Sequence, residues 1–228
     1  MSTAKFLSEN LPLEIIIVDL RNHGSSFWSD NHDYVSLAHD LIKLSKNFSN
    51  RVNLLGHSMG GKAAMYACLS NPEVFKKLVV VDISPINYSV SEFINYIELL
   101  QNLDLNKIQS RKEADNELQK KIIDKNVRSF LLQNLYLQDG QNYHWKINLE
   151  SLKKNINKIK SFPKVQCSFE GNTLFIKGEK SSYILEEHLP IIKKLFPNFF
   201  LKKISNAGHW PQVEQQDLFR KELLNFFA

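Results

Sequence analysis

Arg51-Val52-Asn53-Leu54-Leu55-Gly56-His57-Ser58-Met59-Gly60-Gly61-Lys62-Ala63-Ala64 is the stretch from which the rest of the chain is read. Residues 51–55 have the apolar, partly β-branched make-up of a short buried strand. Lys62 to Leu69 is a run of small and apolar residues with helical character, stopped near Asn71-Pro72. Between them lies G-x-S-x-G, so strand, sharp turn and helix follow one another in the order of a nucleophile elbow. Such a turn lifts a serine hydroxyl clear of the sheet, and side chains on its flanks would collide with the crossing backbone. Gly56 and Gly60 are read as the answer to that crowding. Gly61, Ala63 and Ala64 let the helix lie close to the sheet. A Gly-rich turn without chemistry is the bland alternative.

The pattern repeats on both sides of the elbow. Upstream, Ala4 to Asn10 suits the end of a helix, and Glu14-Ile15-Ile16-Ile17-Val18-Asp19 has the near-continuous β-branched run of a strand covered on both faces. It empties into a polar loop, Leu20 to Ser26, where Asp19 and His23 are expected to bond the turn. Tyr34, Leu37, Ala38, Leu41, Ile42 and Leu44 recur at helical spacing and predict a helix over Tyr34 to Phe48. Downstream, Lys77 to Asp82 predicts another buried strand. The alternation then stops, and residues 88–161 read as amphipathic helices: one carrying Phe93 to Leu100, one over Leu118 to Ile123, one over Val127 to Leu135. A turn at Asp139-Gly140 and a short strand at Tyr143 to Ile147 follow, then a helix over Leu149 to Ile159. The core resumes with a strand at Asn172 to Gly178, a helix over Tyr183 to Phe196 broken by Pro190, a strand at Phe199 to Ile204 and a terminal helix over Gln212 to Phe227. The expected fold is therefore α/β: a mostly parallel, doubly wound sheet built from residues 1–87 and 162–228, with 88–161 inserted as a helical lid over the strand ends.

Composition narrows the function classes. The formal charge of +5 over 228 residues is spread among acids, which describes a solvated surface and argues against a nucleic-acid partner. No apolar run approaches the ~20 residues of a membrane span, and the first residues lack the apolar core of a signal peptide. The expectation is a cytoplasmic protein without stable membrane insertion. Cys68 and Cys167 have no metal-ligand spacing and are read as reduced core thiols. No metal or cofactor is implied.

A serine hydroxyl is a weak nucleophile that needs a base within hydrogen-bond reach and a third group to orient that base. His209 is the candidate base, because Gly208-His209 follows the last strand and glycine lets the loop bring the imidazole inward. Two carboxylates compete for the third role. Asp82 ends the strand after the elbow helix, and Glu179 follows the strand ending at Gly178; Asp82 ranks first because Glu179 lies directly against its strand end. Met59, through its backbone N–H, and His57 and Trp210 flank these groups as oxyanion or substrate contacts.

Val18-Asp19-Leu20-Arg21-Asn22-His23-Gly24-Ser25-Ser26, Leu54 to Met65 and Val79 to Pro85 together resemble the YbfF-like esterases of the α/β-hydrolase superfamily and their mitochondrial abhydrolase relatives. The stretches Ser110 to Asp115, Phe130 to Leu132 and Gly208-His209-Trp210 are similar too. The resemblance implies the α/β-hydrolase fold and hydrolysis of carboxylic ester or thioester bonds, acyl-CoA among them, without metal or cofactor. In bacterial members the acid follows the strand after the elbow, which falls on Asp82 here. The family begins with further strands and a His-Gly loop ahead of the equivalent of Ala4. Their absence here implies an N-terminally truncated form that lacks one of two oxyanion donors, or flanking strands that pair directly.

The leading expectation is a serine hydrolase acting through Ser58, His209 and Asp82 on a small acyl ester or thioester of short-to-medium chain length. Phe93, Tyr96, Phe130 and Trp145 are candidate lining for the acyl chain. Two alternatives remain: a lyase using the same three residues, and a non-catalytic or weakly active fragment.

Overall fold

A computed structural model describes residues 2–89, 92–138, 140 and 142–228. The chain divides into two compact units: Met1–Val18, Tyr34–Asn87 and Ser161–Ala228 form one, and Asp19–Asp33 with Tyr88–Lys160 form the other.

The first unit is an α/β layer structure. Helix α1 (Thr3–Asn10) is capped by the Ser2 hydroxyl, which accepts from Lys5 N–H. Then come α2 (Tyr34–Ser45), β1 (Val52–His57), α3 (Met59–Ser70) and β2 (Phe75–Val81). Four parallel strands make the sheet, in the order β1, β2, β5 (Asn172–Gly178), β6 (Phe199–Ile204). Register places Leu55 beside Val79, Val80 beside Phe175 and Ile176 beside Lys202. Leu78, Val79, Val80 and Val81 are all buried, as a central parallel strand covered on both faces requires. Val79, Val81, Leu174, Ile176 and Ile204 pack with Leu7, Phe219 and Leu223 into one core cluster. In the second unit lie α4 (Glu92–Gln101), α5 (Arg111–Gln119), α6 (Lys125–Leu132), the antiparallel pair β3 (Leu135–Gln138) and β4 (Asn142–Trp145), α7 (Leu149–Lys154) and α8 (Ile156–Lys160). The first unit closes with α9 (Leu189–Leu195), α10 (Pro211–Glu214) and α11 (Gln216–Phe227).

Several local expectations are corrected. Glu14 to Asp19 is not a strand, and the flanking segments do not pair directly. Ile17 is 77% exposed there: β-branched composition makes a segment suited to a sheet, but a strand exists only where a neighbour accepts its ladder. Caps move the ends of the helices in the second unit. Ser110 accepts from Glu113 N–H and starts α5 at Arg111; Asp124 accepts from Asn126 and Val127 N–H and starts α6, while Leu135 opens β3. Asp139 of the expected turn lies outside the described residues. The helix over 149–159 is split at Asn155, whose side-chain amide donates to the carbonyls of Ser151 and Asp30. Residues 183–185 are not helical, and Pro190 stands in the first turn of α9 instead of breaking it, where its missing N–H is not needed. Cys68 is buried, which pushes its thiol pKa up, but Cys167 is exposed in a segment without regular structure.

The second unit has a polar centre. Asn22, fully buried and left-handed at φ 66°, uses its whole side-chain capacity: it accepts from Ser29 N–H (2.7 Å) and Asn148 Nδ2 (3.1 Å), and donates to His32 Nδ1 (3.2 Å) and Ser151 Oγ (3.1 Å). Asp19 Oδ2 accepts from Ser25 N–H at 2.9 Å and His23 Nδ1 donates to the Arg21 carbonyl at 3.1 Å, so both bond the turn. No helix among the described residues is long and apolar enough to cross a membrane.

Candidate active site

β1 and α3 meet at Ser58, whose backbone stands at φ 51°, ψ −118°. A non-glycine residue in this region costs on the order of 1–3 kcal/mol and persists where its surroundings force it. Ser58 N–H donates to the Val81 carbonyl at 3.0 Å, and its own carbonyl accepts from Lys62 N–H, so sheet and helix clamp the turn from both sides. A Cβ on Gly56 would sit 2.3 Å from the Gly60 carbonyl oxygen, so position 56 admits only glycine. Gly60 itself is open: nothing lies within 4 Å of its would-be Cβ. The crowding read from the sequence therefore applies to Gly56 and not to Gly60.

Asp82 directly follows β2 one strand over, also left-handed at φ 50° and fully buried. Its N–H continues the ladder to the Ile176 carbonyl at 2.8 Å, which turns the side chain across the strand ends. Oδ1 accepts from Gly178 N–H at 3.0 Å; Oδ2 accepts from the Ser181 hydroxyl and from His209 Nδ1 at 2.8 Å. A carboxylate can only accept there, so His209 carries its proton on Nδ1. Its Nε2 is left to accept from Ser58 Oγ, 3.1 Å away. Ser58, His209 and Asp82 are thus linked by hydrogen bonds at the carboxyl ends of β1, β2 and β6.

The loop carrying His209 is held by four hydrogen bonds along its backbone. Glu214 on α10 accepts from Gly208 N–H (2.7 Å) and Trp210 N–H (3.0 Å); Lys180 N–H donates to the Ala207 carbonyl (2.8 Å); His57 Nε2 donates to the His209 carbonyl (2.7 Å). The loop passes so close to the end of β5 that a Cβ on Gly178 would lie 1.9 Å from the Gly208 carbonyl oxygen. The Tyr183 ring stacks on the His209 imidazole with centroids 4.0 Å apart, and Trp210 meets it edge-on at 5.4 Å. Burial pushes the His57 pKa down to about 4, helped by His209 beside it, so this imidazole is neutral at pH 7. Met59 opens α3, with its backbone N–H at the positive end of the helix.

Glu179, the other candidate acid, is drawn elsewhere. Its carboxylate accepts from Asn206 N–H at 2.9 Å and lies 3.5 Å from Lys203 Nζ, which together hold its pKa below the usual carboxylate range. Ser181, Tyr183 and Glu214 were missed in the sequence. Ser181 stands in the loop after β5, and a hydroxyl that bonds a carboxylate distant in the chain carries no signal of its own in the sequence. Among the described residues, no group of three or more His, Cys, Asp or Glu side chains is arranged to hold a metal ion.

Residues 3–216 match the protein family described as alpha/beta hydrolase fold. The chain is 36% identical over 231 residues to the sn-1-specific diacylglycerol lipase ABHD11 of Danio rerio, an alignment spanning 99% of this chain and 73% of that protein. It is 30% identical over 204 residues to esterase YbfF of Escherichia coli, spanning 89% of this chain and 78% of that protein. A solved structure titled marine microorganism esterase superposes with a TM-score of 0.86 at 37% identity, covering 91% of this chain and 82% of that one.

Proposed function

This chain belongs to the α/β-hydrolase fold family, and on that premise we propose that it hydrolyses carboxylic esters of small acyl groups, and the corresponding thioesters, through an acyl-enzyme formed on Ser58. One observation carries the reading: Ser58 Oγ, on a strained elbow, lies 3.1 Å from His209 Nε2, whose other nitrogen donates to the buried Asp82 at 2.8 Å.

Ser58 Oγ attacks the acyl carbon while its proton passes to His209 Nε2. The imidazolium that forms is stabilised by Asp82, whose carboxylate is held in place by Gly178 N–H and the Ser181 hydroxyl. The carbonyl oxygen becomes an oxyanion, which Met59 N–H stabilises at the helix terminus; one such donor is typically worth about 2.7–4 kcal/mol in the transition state. Collapse breaks the bond to the alkoxide or thiolate, which leaves with the proton from His209. Water then adds to the acyl-enzyme by the same route, His209 accepting its proton, and the free acid departs as Ser58 regains its hydrogen. A lone serine has no base to carry this sequence; the relay supplies one.

Labelling with a fluorophosphonate tests the reading. Folded protein is expected to be modified at Ser58, to hydrolyse p-nitrophenyl acyl esters, and to lose both properties in S58A. Folded protein that neither reacts with the probe nor hydrolyses esters overturns the proposal. Parallel profiling with acyl-CoA thioesters sets the leaving-group preference.

A further inference from the structure

We infer that His57 is a positioning residue for this chemistry: its Nε2–H, fixed on the His209 carbonyl, ties the strand that carries the nucleophile to the loop that carries the base. The inference rests on the hydrolase reading above and adds to it a residue outside the relay.

Ser58 and His209 lie 151 residues apart, and the bond between Ser58 Oγ and His209 Nε2 is the one that must break and re-form at each proton transfer. Something else has to keep the two residues at working distance while it does. Gly208 and Trp210 N–H are held by Glu214 and the Ala207 carbonyl by Lys180, all of them outside the nucleophile's strand. The His209 carbonyl reaches back to β1, through His57 at 2.7 Å. His57 is the covalent neighbour of Ser58, so this hydrogen bond runs alongside the catalytic one and spans the same gap. Because a carbonyl accepts and never donates, the bond requires the proton on His57 Nε2, which fixes the tautomer. Burial then keeps the ring neutral, so Nδ1 does not acquire a second proton near neutral pH. The rings of His57 and His209 lie 4.7 Å apart and tilted by 46°, in contact beside the hydrogen bond.

Two variants separate the N–H from the ring. His57→Phe keeps an aromatic ring of similar size and removes the donor; His57→Gln places an amide N–H at nearly the same reach. Misplacing reacting groups by about 1 Å costs on the order of 10²-fold. H57F is therefore expected to lower kcat on a p-nitrophenyl ester by roughly 10–100-fold with KM little changed, and to slow fluorophosphonate labelling of Ser58 in parallel. H57Q is expected to recover most of the loss. A folded H57F with wild-type kcat, or H57F and H57Q impaired equally, overturns the inference. If H57F fails to fold, H57Q against H57N decides: the shorter amide of asparagine is expected to be the worse, and equal rates overturn the role. In wild-type protein, ¹⁵N imidazole NMR is expected to show His57 protonated on Nε2 alone across pH 5.5–8, and protonation on Nδ1 instead overturns the assigned bond without bearing on Ser58. Wild-type protein inert to both ester and probe instead marks failure of the hydrolase reading itself.

Discussion

Ile16-Ile17-Val18-Asp19 and Val79-Val80-Val81-Asp82 are nearly the same tetrapeptide, three β-branched residues and an aspartate, and they end up as opposites. The second is the middle of a parallel sheet: paired on both sides, fully buried, its aspartate bonded to Gly178, Ser181 and His209. The first joins no ladder and keeps its apolar side chains in solvent, and its aspartate closes a turn on Ser25. Composition is common to both, so composition did not choose. The difference lies in what stands alongside: β1 and β5 supply hydrogen-bond partners and cover for β2, while among the described residues no strand pairs with residues 16–18. Where a carboxylate is walled in by packed strands, its few donors can aim it at an imidazole; where it sits in a solvated loop, the nearest amide takes it.

Exchanging the two aspartates gives the largest contrast. Asp82→Asn is expected to lower kcat by about 10⁴, because an amide does not hold the imidazole in the required tautomer or stabilise its charged form. Asp19→Ala is expected to leave kcat as it was and to cost about 0.5–1.5 kcal/mol of stability from one lost hydrogen bond. Steady-state kinetics with urea melts of both variants checks the pair, and similar kinetic losses would erase the distinction. Next in size is the contrast between the apolar runs. Leu78→Ala, in the buried strand, is expected to cost about 2–5 kcal/mol, whereas Ile17→Ala should change stability by less than about 0.5 kcal/mol. An equal shift in urea midpoint for the two would mean that Ile17 is held by packing as Leu78 is.

Both regions also bury a neutral histidine, which sharpens the comparison by pH. Burial pushes His57, the last residue of β1 beside Val81, and His32, in the loop after Asp19, from 6.5 down to about 4. Between those values the unfolded chain holds protons that the folded chain refuses. The contribution of each group is therefore complete above pH 6.5 and is lost as pH falls through about 4. Stability from urea melts is expected to decline over that window. His57→Gln and His32→Asn should each flatten part of the slope, and a wild-type profile flat from pH 6.5 to 4 would contradict both burials.

The elbow was legible in the sequence because its requirements are local: a strand, a turn that demands glycine at position 56, and a helix of small residues, all within about twenty positions. The meeting of His209 with Ser58 was expected for a related reason, since Gly208-His209 follows a late strand and glycine lets the loop turn inward. Asp82 could be ranked ahead of Glu179 but not separated from it, because both are carboxylates at strand ends. Which one meets the imidazole depends on how the base loop crosses Gly178 and on the Asn206 amide that occupies Glu179. Ser181 and Tyr183 carried no signal, because a hydroxyl and a ring become part of a site only when another chain segment arrives beside them.

By itself, then, the amino-acid order determined the elements whose causes are short-range: the elbow turn and the alternation of strands with helices. The tertiary structure decided what depends on neighbours distant in the chain. It left residues 14–19 outside the sheet, fastened Glu179 to Asn206, and placed the His57 ring on the His209 carbonyl. Hydrogen bonds and burial are properties of pairs, and a linear sequence names the members of a pair without saying which of them meet.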